Sequence, residues 1–207
     1  QDLREQHGIG ERIVMLYAGR LDKAWQIPER MMSFYRALRK NVPRLIFFII
    51  TPDTDIASRV CEELSIPPDA VVIKKEPYVT LPAYCNLADI GVLLRERALL
   101  NRVAAPTKFA EYILCGLPVM ISSEIGDYSD MVATHSLGYV LEPTLLQRET
   151  IGDQDIPPHF FSWGRESAQR RRIAEFGSRY LSQQSYAGFL KGLYTELFPR
   201  EEQCAGS

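Results

Sequence analysis

Short apolar runs alternate along the chain with stretches in which apolar residues recur every three or four positions. "RIVMLYAG" precedes "PERMMSFYRALRKN", "RLIFFIIT" precedes "DTDIASRVCEELS", and "AVVIKK" precedes "TLPAYCNLAD". "IGVLLR" is followed by "PTKFAEYILCG", "PVMIS" by "DYSDMVATH", and the series closes with "GYVLEP". Unbroken apolar runs of this length read as strands buried on both faces, and the periodic stretches read as amphipathic helices. Strands separated by helices require right-handed crossovers. The pattern therefore predicts an α/β fold with a doubly wound, mostly parallel, Rossmann-like sheet and helices on both faces.

After about residue 144 the alternation loosens into "QRETIGDQDIPPHF", which reads as a polar surface loop, and helical periodicity returns from about Arg165 to Leu197. Residues 1–10 are expected to form a charged linker or helix remnant, 11–143 the sheet domain, and 144–207 a loop and C-terminal helices packed on the same domain. "RESAQRRRIAEF" interleaves arginines with acids and reads as a solvated helix face. Tyr186, Phe189, Leu190, Leu193 and Leu197 recur at helical spacing and predict a face packed on the core or on a neighbour.

Composition narrows the ligand. The 207 residues are 46% hydrophobic with a net charge of −2, enough to bury a core and without the basic excess that nucleic acid requires. No apolar run approaches the roughly 20 residues that span a bilayer. Cys61, Cys85, Cys115 and Cys204 lie far apart without a C-x-x-C pair, which predicts buried thiols in a reducing compartment rather than a zinc site or disulfide framework. His7, His135 and His159 are scattered and belong to no nucleophilic triad. The chain opens at Gln1 in a charged helical segment without a signal peptide, and is expected to be part of a longer protein.

The amino end of one helix stands out. In "APTKFAEYILCGLPVMIS", Ala105 to Ser122, Pro106 suits the first helical position and Gly116 the position past the end. Ala105 then stands at the cap, where it cannot accept hydrogen bonds from the N–H groups of Thr107 and Lys108. Lys108 adds a positive charge where the helix dipole is already positive, an arrangement that costs a few tenths to about 1 kcal/mol unless an anion binds there. A bound anion, a cap by Thr107 itself, or a neighbouring loop or water each resolves this. Phe109, Ala110, Ile113 and Leu114 make one apolar face, and Thr107, Lys108 and Glu111 fall together on another. Glu111 lies one turn, about 5 Å, above the helix start, either paired with Lys108 or aimed at a ribose whose phosphate sits on the amides.

In open parallel sheets ligands bind beyond the carboxyl ends of the strands, and this helix follows one such end. The first strand ends on the same rim at Gly19, followed by Arg20 and Lys23. Glycine admits a close approach to the backbone, and a guanidinium fork matches phosphate oxygens. Asp53 and Asp55 in "PDTD" follow a strand and open a helix, so Asp53 is expected to cap that helix and no metal is expected.

"YAGRLDK", "LPAYCNLADIGVLL" and "PTKFAEYILCGLPVMIS" occur in an order and spacing that resembles the carboxyl-terminal, donor-binding domain of retaining GT-B glycosyltransferases, a group that includes sucrose and glycogen synthases and bacterial polysaccharide enzymes. The resemblance covers roughly residues 10 to 142. It implies that Gly19, Arg20 and Lys23 hold the diphosphate, with Arg20 and Lys23 as catalytic cations. Ala105, Pro106, Thr107 and Lys108 would cap the diphosphate, and Glu111 would bind the ribose hydroxyls. The sequence departs from the family at Val103, where the first of its two glutamates is expected, and at Lys23, which follows Arg20 by only three residues.

The resemblance thus implies the donor half of a hexosyltransferase using a nucleotide diphosphate sugar in bacterial glycan or polysaccharide synthesis, with no cofactor and no metal. The acceptor site would belong to an amino-terminal domain outside this chain, and the fragment alone would be inactive. The expected location is cytoplasmic, compatible with peripheral attachment of the full-length protein to the cytoplasmic face of a membrane. The alternatives are a noncatalytic nucleotide-sugar-binding or degenerate partner subunit, and a nucleotide-sugar epimerase of the same fold. A dinucleotide dehydrogenase is disfavoured because no G-x-G-x-x-G follows a predicted strand.

Overall fold

The computed structural model describes residues 3–22, 26–95, 99, 106–184, 187 and 191. Expectations for Lys23, Val103, Ala105, Tyr186, Phe189, Leu190, Leu193, Leu197 and Cys204 lie outside the described residues. Six strands form one parallel sheet among the described residues: β1 (Ile13–Ala18), β2 (Leu45–Ile50), β3 (Val71–Lys74), β4 (Ile90–Leu93), β5 (Val119–Ser122) and β6 (Gly138–Leu141). Their order is β3-β2-β1-β4-β5-β6, so the winding reverses between β1 and β4. β1 runs in register with β2 from Ile13 opposite Leu45 to Ala18 opposite Ile50, and pairs with β4 at Met15 and Leu16. All six residues of β1 and of β2 are buried, which is why these segments are continuously apolar rather than alternating.

Alternate side chains of the sheet enter two cores. Met15, Tyr17, Phe47 and Ile49 pack beneath α2 (Pro28–Arg39) and α3 (Thr54–Glu63). Leu16, Ala18, Phe48 and Ile121 pack on the opposite face against α4 (Leu81–Leu87), α5 (Thr107–Leu114), α6 (Tyr128–His135) and α7 (Ser167–Tyr180). A single turn of helix, α1 (Leu3–Gln6), precedes the sheet, and Ile9 after it is buried in the second core.

Two features differ from the sequence pattern. Residues 143–165 do not run as a loop over the surface: 3₁₀ turns at Pro143–Gln147 and Pro158–Arg165 deliver Leu145, Leu146, Ile151, Ile156, Phe160 and Phe161 into the first core. Their apolar residues are too irregularly spaced to register as a helix or strand, yet burial depends on area rather than period. Likewise α7 is not merely a solvated face. The Arg170 guanidinium donates to four main-chain carbonyls, those of Cys85, Ala88, Cys115 and Gly164, at 2.9–3.2 Å.

The amino end of the sheet is closed by Asp89. Its carboxylate, 3% exposed, accepts the Val14 N–H at 2.7 Å and pairs with Arg165 Nε at 3.2 Å and Arg4 Nη1 at 3.6 Å. Gly164 lies so close that a Cβ there would come within 2.0 Å of the Asp89 carbonyl oxygen. The segment after residue 143 is in this way tied both to the amino end of the sheet and to the first core.

Candidate functional site

The reversal of winding between β1 and β4 opens a cleft of about 560 Å³ at the carboxyl ends of the strands. Its walls come from the ends of β1, β2 and β4, the segment after β3, and the first turns of α5. This is where a doubly wound sheet leaves room for a ligand, because the crossovers on either side of the switch point diverge.

On the α5 side, the helix begins at Thr107 rather than Pro106. Proline's φ of −67° fits a helix, but its ψ of 116° is extended and makes Pro106 the cap. Proline offers no side-chain acceptor, and Thr107 lies within the helix, so it is not the cap either. The Phe109 N–H donates to the Pro106 carbonyl at 3.0 Å, whereas those of Thr107 and Lys108 have no hydrogen-bond partner among the described residues. The other end closes as its sequence predicts. Gly116 takes φ +69°, its N–H donates to the Ile113 carbonyl and that of Leu117 to the Tyr112 carbonyl, both at 2.9 Å. The buried face of α5 is Phe109, Tyr112 and Ile113, with Leu114 38% exposed, because α7 covers the helix from a different direction than the wheel assumed. Tyr112, fully buried, accepts the Ala18 N–H at 2.9 Å and so fixes α5 to the end of β1.

Lys108 does not project into water. It folds back across the end of β1, where its Nζ stands 4.8 Å from the Tyr17 ring centroid and 3.5 Å from the Tyr17 hydroxyl. That path runs through the space a side chain would occupy at Gly19. A Cβ built there would lie 2.1 Å from Lys108 Cε and Nζ, and Gly19 adopts φ +138°, which L side chains rarely reach. Gly19 therefore admits Lys108 first. Burial pushes the Lys108 ammonium down to about 8, Arg95 acts in the same direction, and Glu111 opposes them. Burial raises the Tyr17 phenol far above neutrality, so it remains an uncharged acceptor.

Arg20 lies on the cleft rim, but carboxylates already engage it. Its Nε and Nη2 donate to Asp22 at 2.8 and 2.6 Å, and Nη2 reaches Asp53 at 3.1 Å. Asp53 stands at the cap position of α3 without capping it. Its carboxylate instead accepts the Leu21 N–H at 2.7 Å, which stitches the loop after β1 to the end of β2. The correction has a simple cause: amides of the facing loop and a guanidinium compete for the same oxygens, and the charged donor makes the stronger bond.

Glu111 faces the cleft. It accepts the Tyr78 hydroxyl at 2.9 Å instead of pairing with Lys108. Tyr84 similarly donates to Glu76 at 2.8 Å on the same wall. Sequence reasoning missed Arg95, Glu76 and Tyr78. The signal was present in "KKEPY" and "LLR", charged or aromatic residues directly after strands on the ligand-binding rim. Among the described residues no group of three or more His, Cys, Asp or Glu is arranged to hold a metal ion.

No protein-family model and no curated protein matches the chain in sequence. Solved structures do match it in three dimensions. Sucrose-phosphate synthase from Thermosynechococcus elongatus superposes with a TM-score of 0.61 at 19% identity, over 95% of this chain and 48% of that one. Alr3699/HepE of Anabaena, solved with UDP and glucose, gives 0.61 at 14% identity over 94% and 51%. The C-terminal domain of the group 1 glycosyl transferase LpcC from Francisella tularensis gives 0.55 at 14% identity over 85% and 88%. The fold is that of one half of a GT-B glycosyltransferase. The chain spans about half the length of the first two GT-B structures and most of the third, which is a single domain.

Gly19, Arg20, Pro106, Thr107, Lys108 and Glu111 all line the same cleft, so the described members of the set that the motifs singled out are brought together.

The role of Gly19 is directly testable. Replacing it with alanine is expected to expel Lys108 from its seat and weaken anion binding about tenfold, since one charge-assisted contact is displaced rather than deleted. Inorganic pyrophosphate titrated against wild type and Gly19→Ala measures this, and equal affinity would contradict the seat.

Proposed function

We infer that the cleft binds a nucleotide diphosphate sugar, and that the chain is the donor-binding half of a glycosyltransferase of the hexosyltransferase type. The observation that carries this reading is that Lys108, Thr107 and Glu111 line one cleft, where the N–H groups of Thr107 and Lys108 have no partner among the described residues. Those groups suit a diphosphate joined to a ribose: the anion on the cation and amides, the vicinal hydroxyls on the carboxylate. Tyr78, held over the cleft by Glu111, offers an aromatic face for the base. The fold's occurrence in glycosyltransferases, one of them solved with UDP and glucose, supports the assignment.

As the bond between the anomeric carbon and the diphosphate oxygen breaks, negative charge collects on the leaving group. Lys108 and the α5 amides, already oriented, stabilise that charge without a metal or other cofactor. Arg20 adds a cation whose charge is partly offset by Asp22 and Asp53, and Lys23 remains in the proposal on resemblance alone. Transfer proceeds with retention in this reading. An amino-terminal domain supplies the acceptor site, and the isolated chain binds nucleotide while transferring little. Cytoplasmic bacterial glycan or polysaccharide synthesis is the proposed setting.

Calorimetric titration with UDP, GDP and ADP tests the reading. One nucleotide is expected to bind, and Glu111→Ala to weaken it at least about tenfold, the value of a hydrogen bond to a charged group. Arg20→Ala is expected to have the smaller effect. Absence of binding by all three, or equal affinity of wild type and Glu111→Ala, would remove the assignment. A second reading, a noncatalytic nucleotide-sugar-binding subunit, is favoured by Val103 at the family's first acid position and by the carboxylates on Arg20. Binding without transfer or donor hydrolysis after the amino-terminal domain is restored would select it, and an epimerised sugar formed without acceptor would select an epimerase.

A further inference from the structure

Glu76, Pro77 and Tyr78 follow β3 directly and line the cleft, as do the apolar side chains of Ile50 and Leu81. The Glu76 side chain is 25% exposed. Its Oε1 accepts the Tyr84 hydroxyl at 2.8 Å and stands 4.0 Å from Lys74 Nζ, whereas no hydrogen bond reaches Oε2 among the described residues. Tyr78, two positions further on, is tied by its hydroxyl to Glu111 at 2.9 Å, so one short segment links the carboxylate assigned to the ribose with a second carboxylate in the same cleft. The phosphate and ribose chemistry proposed above leaves Glu76 unused.

We propose that Glu76 determines the base, and that the nucleotide bound is a guanosine diphosphate: the Glu76 carboxylate accepts the guanine N1–H and 2-amino group while the purine lies against Tyr78. This rests on the reading of the cleft as a nucleotide diphosphate sugar site, and supplies the base that the reading leaves open.

The choice of base follows from the pattern of donors along its hydrogen-bonding edge. A carboxylate only accepts, and it presents two oxygens side by side. Guanine places two donors next to each other, N1–H and the 2-amino group, and so matches both oxygens at once. Uracil offers one N–H between two carbonyl oxygens, and adenine and cytosine each set an amino group beside a ring nitrogen that accepts. With any of these three, one carboxylate oxygen meets a lone pair in place of a donor, and a partly buried acceptor left unmatched is costly. Tyr84 acts as a positioning residue. Its hydroxyl occupies one acceptor site of Oε1, which leaves a second site there and all of Oε2 for the base. The exposed ring of Tyr78 supplies the face on which a purine stacks.

The full chain is titrated calorimetrically with the diphosphates of guanosine, inosine, xanthosine, uridine and adenosine, as wild type and as Glu76→Gln. In wild type GDP is expected to bind tightest, the inosine compound about tenfold more weakly because it lacks the 2-amino group, and UDP and ADP about 100-fold more weakly. In Glu76→Gln the amide oxygen can keep the Tyr84 hydroxyl while an N–H donor replaces Oε2, a pattern that suits the 2-oxo group of xanthine. The xanthosine compound should then overtake GDP, with UDP and ADP little changed. That reversal is a readout that a merely structural glutamate would not produce. Wild type binding UDP or ADP as tightly as GDP would overturn the guanine assignment and leave the nucleotide site standing. Equal weakening of every nucleotide in Glu76→Gln, with GDP still preferred over the xanthosine compound, would overturn it in the same way. Failure of all five to bind wild type would remove the nucleotide reading and this proposal together.

Discussion

Lys108→Met is expected to weaken binding of the cognate nucleoside diphosphate about 100-fold while leaving the protein folded. Lys108 crosses the end of β1 on the wall of the cleft, and loss of a partner to a desolvated phosphate is worth about 2–3 kcal/mol. Methionine keeps the length and apolar stem of lysine and removes a charge that the fold buries at some expense, so thermal stability should hold or rise. Calorimetry paired with thermal unfolding separates the two quantities. Affinity within about threefold of wild type would discard Lys108 as the phosphate cation.

The same residue sets a pH dependence with a definite sign. Lys108 in the free protein titrates near 8, below the ordinary lysine value of 10.5. A bound diphosphate holds the proton in place, so affinity is greatest below pH 8 and declines above it, approaching about tenfold per unit. The unfolded chain binds this proton more tightly than the folded one between about 8 and 10.5. The residue's contribution to stability is therefore unfavourable below 8 and improves as pH rises through that window. In Lys108→Met the decline in affinity above pH 8 should vanish.

Asp89→Asn is expected to lower stability by about 3 kcal/mol, the lower end for breaking a buried ion pair because both arginines reach water. The carboxylate holds the Val14 N–H, Arg4 and Arg165 at one point, and asparagine can replace only the first of these bonds. For a domain of this size the loss corresponds to a fall of roughly 6–12 °C in the thermal midpoint. Nucleotide affinity should not change at temperatures where the protein is folded, since Asp89 opens β4 and the cleft lies beyond its other end. A midpoint within about 2 °C of wild type would show that the ion pairs of Asp89 add little to the stability of the fold.

These two substitutions mark opposite degrees of legibility. Lys108 could be singled out from the sequence, because an uncapped amino end with a lysine on its first turn is a local anomaly visible in four letters. Its destination was not visible. A wheel places Lys108 and Glu111 on one exposed face, whereas the fold seats the lysine at Gly19 and gives the carboxylate to Tyr78. Arg20 was equally conspicuous as a cation, but the carboxylates that engage it include Asp53, thirty-three residues away. Asp89 carried no signal at all, since its partners Arg4, Val14 and Arg165 converge only in the folded chain.

By itself the sequence determined the strands, the helices, the parallel sheet and the rim on which a ligand sits. Those features follow from the period of apolar residues, from proline and glycine at helix ends, and from the handedness of crossovers, all of which act over a few residues or one connection. Tertiary structure alone decided which charges are neutralised and that the irregular segment after residue 143 contributes to the core. Those outcomes depend on pairings between residues distant in the chain. Electrostatic and hydrogen-bond energies change steeply over a few ångströms, a scale that spacing along a sequence does not encode.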